Sequence, residues 1–187
     1  MRIIAGNFKG HSINMPKDKN TRPLKDMVRE SIFNLLNHSN EIKLKIKDSN
    51  VLDLYAGTGS FGLECLSREA RFVFFVENKK LAIEVLKKNI EKLNVNKKTK
   101  IFPKNIFSLF SNKENLKLKF DLIFCDPPFK DNNINEVIKL IFSKDLVNKN
   151  TIIILHRERK NIEKFPEIFH IIEERIYGNS KIIFGKF

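Results

Sequence analysis

The chain has 187 residues, 42% of them hydrophobic and 30% charged, which is the composition of one globular domain with its own core. No apolar run approaches the roughly 18 residues of a membrane-spanning helix, and the polar N-terminus argues against a secretory signal, so we expect a cytoplasmic protein without membrane contact. The 35 Lys and Arg residues against 22 Asp and Glu give a net charge of +13, which favours a polyanionic partner such as nucleic acid. Lysine drift in an A+T-rich genome would leave the same excess on solvated surfaces.

The N-terminal 49 residues predict an extension ahead of the main domain. Residues 2–13 are expected to form a small hairpin, because Gly6 and Gly10 bracket its turn. An amphipathic helix is expected over residues 24–37, and the lysine-rich residues 38–49 read as a connection. The residues that recur at helical spacing in this helix are Met27, Val28, Ser31, Ile32, Leu35 and Leu36.

From residue 50 onward, apolar strands alternate with helices, which predicts a mostly parallel sheet covered on both faces. The expected strands are residues 50–56, 71–77, 99–105, 120–125 and 151–156. The expected helices are residues 60–69, 79–93, 106–110 and 134–144; the apolar face of the second comprises Leu81, Val85, Leu86, Ile90 and Leu93. A hairpin formed by residues 169–177 and 181–187 should give the sheet one antiparallel strand. We expect a single domain over residues 1–187, with its core in residues 50–187.

A glycine-rich loop joins the first of these strands to a helix. Gly57, Gly59 and Gly62 have the G-x-G-x-x-G spacing, which lets a ligand lie against the main chain. Glu77 ends the second strand, where a carboxylate can accept hydrogen bonds from both ribose hydroxyls. A turn without ligand, a dinucleotide and S-adenosylmethionine all remain open. Asp53 favours the last, since its charge suits an ammonium group and a sulfonium better than a pyrophosphate.

The neighbouring residues complete the predicted cofactor site. Tyr55 could add a ring edge to the pocket, and Asn105 could either touch an adenine or cap the helix that follows it. The residues expected to bind the cofactor are Asp53, Tyr55, Ala56, Gly57, Thr58, Gly59, Glu77, Asn78, Asn105, Ile106 and Asp126.

The segment "FDLIFCDPPFK" ends the fourth strand on a carboxylate, beside the glycine loop. Asp126 can accept a hydrogen bond from an amine, and the Pro127 carbonyl can accept a second. Pro128 keeps the backbone rigid and without a donor, and Phe129 offers a face on which a base stacks. A plain strand-ending turn is the alternative. Together with the glycine loop, these four expected catalytic residues predict methyl transfer to an exocyclic amine. Neither Cys65 nor Cys125 belongs to a Cys-x-x-Cys pair, so no metal site is expected.

The segments "TRPLKDMVRESIFNLL", "VLDLYAGTGSFGLECLSREA", "FDLIFCDPPF" and "IYGNSKIIF" resemble the bacterial small-subunit ribosomal RNA guanine-N2 methyltransferases of the RsmD family. The resemblance implies a Rossmann-like, seven-stranded class I methyltransferase fold, S-adenosylmethionine as donor, and a flipped-out guanine in 16S ribosomal RNA as acceptor. It also implies that Thr21, Arg22 and Pro23 lie near the cofactor and the substrate, and that an assembled ribosomal particle presents the base. We expect the enzyme to be a monomer. Asn105 departs from the acidic residue that relatives often have near the adenine.

Phosphate contacts should offset the cost of flipping the base. The candidates are Lys9, Lys17, Lys19, Arg22, Arg157, Arg159 and Lys160, each of which could equally be a solvated surface charge, as could His156. Arg157 is also an expected substrate contact, as is Phe129. Three rival functions remain: an adenine-N6 DNA methyltransferase, an NAD-dependent oxidoreductase, and an RNA-binding assembly factor with a disabled cofactor site.

Overall fold

The computed structural model describes residues 1–16, 24–42, 44–111, 118–128 and 130–187. Within these residues one seven-stranded sheet forms the centre of the fold, with strand order β3-β2-β1-β4-β5-β7-β6. The strands are β1 Asn50–Leu54, β2 Phe72–Val76, β3 Thr99–Phe102, β4 Phe120–Cys125, β5 Val147–Glu158, β6 His170–Tyr177 and β7 Ser180–Lys186. β7 runs antiparallel to both of its neighbours, while the other pairs are parallel, so the expected mostly parallel sheet with one antiparallel strand is confirmed.

Helices cover both faces of this sheet. They are α1 Asp26–His38, α2 Ser60–Ser67, α3 Lys80–Lys92, α4 Ile106–Ser111 and α5 Ile134–Ser143. Val51 packs in the core beneath α1, α2 and α3, whereas Leu52 packs beneath α4 and α5. Successive strand residues point to opposite faces, so strands buried on both sides are apolar at nearly every position. None of the described helices combines the length and apolarity needed to cross a membrane.

Two expected core residues of the helices are exposed. Leu81 is 58% exposed, and the buried stripe of α3 is centred on Leu86, together with Ala82, Ile83, Asn89 and Ile90. At 100° per residue, Leu81 lies five positions and therefore about 140° away from Leu86. Met27 lies equally far from Ile32 on α1 and is 64% exposed. The spacing of apolar residues predicted both helices correctly but placed these two side chains on the buried face, whereas they lie on the solvent-exposed face.

The N-terminal segment packs against α2. The expected small hairpin is present: an antiparallel bridge joins Arg2 and Ser12, and the backbone N–H groups of Ile3 and Ile13 donate to the carbonyls of His11 and Met1, at 2.9 Å each. Backbone N–H groups of Ile4 and Ala5 donate to the two carboxylate oxygens of Glu64, at 2.8 and 3.0 Å. Glu64 also forms a fully buried ion pair with Arg29 of α1, at 3.8 Å. The segment and α1 are therefore fastened to the same buried carboxylate on α2.

Candidate functional site

The carboxyl ends of the central strands form one edge of the sheet, and the candidate site lies there. Strand order reverses between β1 and β4, and ligands of parallel α/β sheets bind at such a reversal. The glycine loop follows β1, Glu77 follows β2 and Asp126 follows β4. In the described part of the chain, no group of histidine, cysteine or acidic residues could hold a metal ion.

The three glycines of the loop have different surroundings. Gly57 and Gly59 have φ of +56° and +82°, in the left-handed region that favours glycine. A Cβ on Gly59 would come 2.4 Å from Leu86 Cδ1, and one on Gly62 would come equally close to Phe75 Cε1. A Cβ on Gly57 would meet nothing within 4 Å. Gly59 and Gly62 therefore allow the loop to pack against β2 and α3, whereas Gly57 faces open space that a ligand could fill.

Asp53 lies under the glycine loop. Its side chain is buried, and its Oδ2 accepts a hydrogen bond from the Gly62 backbone N–H at 3.0 Å. Burial raises the pKa of this carboxyl well above its ordinary value; the Gly62 N–H opposes the shift, and the carboxylates of Asp126 and Glu77 add to it. Asp53 thus fixes the first turn of α2 against β1.

Glu77 ties the glycine loop to the start of α3. Its Oε2 accepts the Gly57 N–H at 2.8 Å, and its Oε1 accepts the N–H groups of Asn78 and Lys79 at 2.8 and 2.9 Å. A carboxylate has about four acceptor positions, so one remains for a ligand hydroxyl. The acidic residue for which the sequence predicts ribose binding therefore holds the loop.

Asp126 is linked to two other strands. Its Oδ1 lies 2.8 Å from Nδ1 of His156 on β5, and Nε2 of His156 lies 2.9 Å from the Ser180 hydroxyl on β7. The Asp126 side chain is 22% exposed, so the carboxylate is held by His156 on one side and remains partly accessible to solvent. Pro127 is buried, and the Pro128 carbonyl accepts the Asp131 N–H at 2.7 Å, which closes a turn after the proline pair.

A polar network supports this turn and overturns two expectations. Arg157 is 1% exposed, donates to the Asp131 carbonyl at 2.7 Å and is paired with Glu163. A guanidinium enclosed in this way is neither a surface charge nor a contact for RNA phosphates, so that prediction was wrong. His156 was expected as a surface charge and is also buried, at 6% exposure. Tyr55 donates to Asp131 Oδ2 at 3.3 Å, and burial above all raises the pKa of its phenol.

The remaining expected site residues occupy varied positions. Ala56, Thr58 and Ile106 are buried, while Asn78 is exposed. The Oδ1 of Asn105 accepts the Phe107 N–H at 2.8 Å, so this side chain caps α4, which is one of its two predicted roles. Outside the described residues lie the predicted contacts Thr21, Arg22, Pro23 and Phe129, and the candidate phosphate contacts Lys17 and Lys19.

Sequence reasoning missed a buried amide beside the loop. Asn89 of α3 donates to the carbonyls of Thr58 and Asn14, at 3.0 and 3.2 Å, and accepts the Asn14 N–H at 2.8 Å. It therefore joins the glycine loop to the N-terminal segment. A polar residue within the apolar stripe of α3 was the signal that could have identified it.

The seven-stranded sheet, the glycine loop at its reversal point and the acidic residues at the ends of β2 and β4 define the Rossmann-like class of methyltransferase folds. Comparison with solved structures supports this fold assignment. The Escherichia coli protein yhhF has a TM-score of 0.83 at 26% identity, with 99% of this chain and 96% of that chain covered. The more distant protein SMU.776, solved in complex with SAH, has a TM-score of 0.66 at 15% identity, with 86% and 48% covered.

Sequence comparison identifies the family within this class. The family model described as conserved hypothetical protein 95 matches residues 1–186. A relative from Buchnera aphidicola (subspecies Acyrthosiphon pisum), named ribosomal RNA small subunit methyltransferase D, is 32% identical over 174 residues, which are 93% of this chain and 86% of the relative. The chain belongs to this family, which confirms the resemblance found in its sequence motifs.

Proposed function

We propose that this protein transfers a methyl group from S-adenosylmethionine to the exocyclic N2 amine of a guanine in small-subunit ribosomal RNA. One observation carries the proposal: the Asp126 carboxylate, partly exposed, stands at the end of β4 beside the glycine loop and is followed by two prolines. A hydrogen-bond acceptor on a rigid, donor-free backbone is suited to an amine with two N–H groups.

The residues present fit the proposed methyl donor. The open space beside Gly57 accepts a ligand against the backbone, and Glu77 keeps one acceptor position for a ribose hydroxyl. S-adenosylmethionine supplies at this site a methyl group on a sulfonium sulfur, which leaves as a neutral thioether. A pyrophosphate would meet three carboxylates that act on one another here, those of Asp53, Glu77 and Asp126, so a dinucleotide fits less well.

Asp126 and the Pro127 carbonyl act on the substrate amine. Each accepts one N–H, which turns the nitrogen lone pair out of conjugation with the ring and toward the methyl group. The nitrogen forms the new bond to carbon and becomes cationic, and it then releases one proton to the Asp126 carboxylate or to water. Positioning and fixed polar groups supply most of the rate enhancement in this scheme, so Asp126 need not be a strong base.

The distribution of charge supports an RNA partner. Residues 79–104 contain nine lysines and two glutamates, a net +7 of the chain's +13. Eight of these lysines are exposed. They lie at the start of α3 and along it, in the turn that joins α3 to β3, and on the edge strand β3 itself. Such a basic surface attracts the phosphate backbone and can offset the few kcal/mol needed to unstack a base. The relatives' name makes small-subunit ribosomal RNA the natural choice of polyanion, and we propose that an assembled particle presents the guanine.

Two measurements test this proposal. Calorimetry should show binding of S-adenosylmethionine or its demethylated product and no binding of NAD; the reverse pattern would overturn the assignment in favour of an oxidoreductase. Transfer of a labelled methyl group to small ribosomal subunits from a strain that lacks the gene should then be abolished by Asp126→Ala, with little change in cofactor affinity. Methylation of adenine in DNA at a higher rate would favour the adenine-N6 alternative.

A further inference from the structure

We propose that His156 is a positioning residue for methyl transfer, which holds one oxygen of Asp126 so that the other meets the substrate amine. The inference rests on the proposed function and adds a residue to its machinery. Its basis is the continuous chain Asp126 Oδ1, His156 Nδ1, His156 Nε2 and Ser180 Oγ, with contacts of 2.8 and 2.9 Å.

The sheet topology brings the three residues together. Cys125 of β4 pairs with Leu155 of β5, so the residues that come next, Asp126 just after β4 and His156 on β5, are also neighbours. The antiparallel strand β7 places Ile182 opposite His156, and Ser180 lies two residues away on the same face. Both nitrogens of the imidazole are therefore engaged by groups that lie far away in sequence, and the ring has little freedom to turn.

For a neutral imidazole, the hydrogen-bond inventory determines the tautomer. A carboxylate only accepts hydrogen bonds, so Nδ1 of His156 carries the hydrogen and donates it to Asp126. The Nε2 lone pair then accepts the Ser180 hydroxyl hydrogen. The Asp126 carboxylate thus fixes the tautomer, and the Ser180 hydroxyl, which can donate or accept, engages the other nitrogen and holds the ring, in the way that second partners orient histidine side chains elsewhere.

Asp126 needs a second contact of this kind because rotation about its terminal side-chain torsion, χ2, is only weakly restricted. The torsion of an aspartate carboxylate is broad and has no sharp staggered wells. With Oδ1 held by His156, rotation of the carboxylate is restricted, and the side chain remains 22% exposed, which leaves the second oxygen available for the substrate amine in this proposal. Misplacement of a reacting group by about 1 Å costs roughly a hundredfold in rate, so this fixation is expected to affect turnover.

The order Asp–His–Ser also occurs in hydrolases, where the serine attacks the substrate. Here Ser180 is 5% exposed and lies at the start of an inner strand of the sheet, so its hydroxyl has no access to a substrate. The serine holds the histidine, and the histidine holds the aspartate. The exposed end of the chain is Asp126, which is the group assigned to the amine.

A spectroscopic measurement tests the arrangement without turnover. Nitrogen-15 NMR of the histidine rings in the unliganded protein should show His156 as the Nδ1–H tautomer, and Asp126→Ala should shift its signal. Assignment uses the loss of that signal in His156→Ala. An Nε2–H tautomer in the wild-type protein, or no response to Asp126→Ala, would overturn the proposal.

Kinetics test the consequence. In single-turnover transfer to small ribosomal subunits, His156→Ala should lower the rate about ten- to a hundredfold, as expected for loss of one hydrogen bond to a charged group. Its affinity for the demethylated cofactor should stay within about twofold of the wild-type value. His156→Asn, whose amide N–H can reach the Nδ1 position, should recover much of the rate. Thr151→Val is the matched control, because it removes hydrogen bonds with the Phe120 carbonyl and the Asn148 N–H on the same strand, away from Asp126, and should leave the rate unchanged.

The outcomes separate the two proposals. A wild-type protein that binds the cofactor but methylates no guanine would overturn the proposed function. An active wild-type protein whose His156→Ala variant retains full rate would overturn the role of His156 alone. Equal losses in His156→Ala, His156→Asn and Thr151→Val would show only a packing effect and would also contradict the positioning role.

Discussion

Glu77→Gln should weaken both the fold and the cofactor site, because three backbone N–H groups depend on this one carboxylate. Glutamine offers a single acceptor oxygen. If that oxygen faces Asn78 and Lys79, the amide NH₂ faces the Gly57 N–H, and two donors oppose each other. One lost hydrogen bond to a charged group costs about 1.5–3 kcal/mol, and the two that remain lose their charge assistance. We therefore expect the free energy of unfolding to fall by roughly 2–4 kcal/mol.

Urea denaturation followed by circular dichroism measures the stability effect, and calorimetry with the demethylated cofactor measures the site. The Gly57 backbone is no longer held in the variant, so we expect cofactor affinity to fall at least about tenfold. Glu84→Gln is the matched control, since Glu84 is an exposed carboxylate on α3, the helix that follows Glu77, and it should change neither quantity. A Glu77→Gln variant within about 0.5 kcal/mol of wild-type stability, and with unchanged affinity, would refute this reasoning.

Three further predictions concern charges around the site. Burial raises the pKa of Asp53, so its ionisation opposes folding: the cost is absent below the pKa of the unfolded chain and grows as pH rises toward the folded pKa. Asp53→Asn should therefore gain stability over wild type at pH 7.5 and lose that advantage near pH 4; an equal difference at both pH values in urea titrations would contradict it. Arg157→Met should cost about 3–5 kcal/mol by leaving the largely buried carboxylate of Glu163 without its partner, and adding Glu163→Leu should recover most of it. Thermal denaturation of both variants checks this, and additive losses would contradict it. Replacing four exposed lysines of the basic surface by glutamine should make RNA binding less salt-dependent. The slope of log binding constant against log salt concentration should become shallower by about 0.7–0.9 for each phosphate contact removed. Filter binding compares this variant with a control that has four lysines replaced elsewhere, and equal slopes in the two variants would refute a role for the basic surface. The two sets are Lys79, Lys80, Lys87 and Lys88 for the test and Lys45, Lys139, Lys144 and Lys149 for the control.

Local patterns in the sequence were sufficient for the sheet and the glycine loop. The apolar strands are buried on both faces, so their burial could be inferred from a few adjacent letters. The same holds for Gly57 and Glu77, because a loop between a strand and a helix is a local structure. Asp126 was placed correctly beside that loop because the carboxyl ends of parallel strands share one edge.

The errors arose where burial depends on a partner distant in the chain. His156 and Arg157 follow an apolar strand and precede charged residues, so the sequence suggested a solvated end. Both are buried because Ser180 and Glu163, 24 and 6 residues away, supply the hydrogen-bond partners that make burial affordable. No periodicity reveals such a partner. The exposure of Leu81 has a different cause. An apolar residue at the end of a helix is compatible with more than one apolar face, and packing of the helix against the sheet determines which face is buried.

The most direct test of the account is the identity of the methylated atom. Purified protein, labelled S-adenosylmethionine and small ribosomal subunits from cells that lack the gene should yield one labelled nucleoside on digestion, and mass spectrometry should identify it as N2-methylguanosine. The Asp126→Ala protein should yield none while still binding the demethylated cofactor. Label on any other atom, or full transfer by the Asp126→Ala protein, would contradict the central claim that this carboxylate presents a guanine amine to the methyl donor.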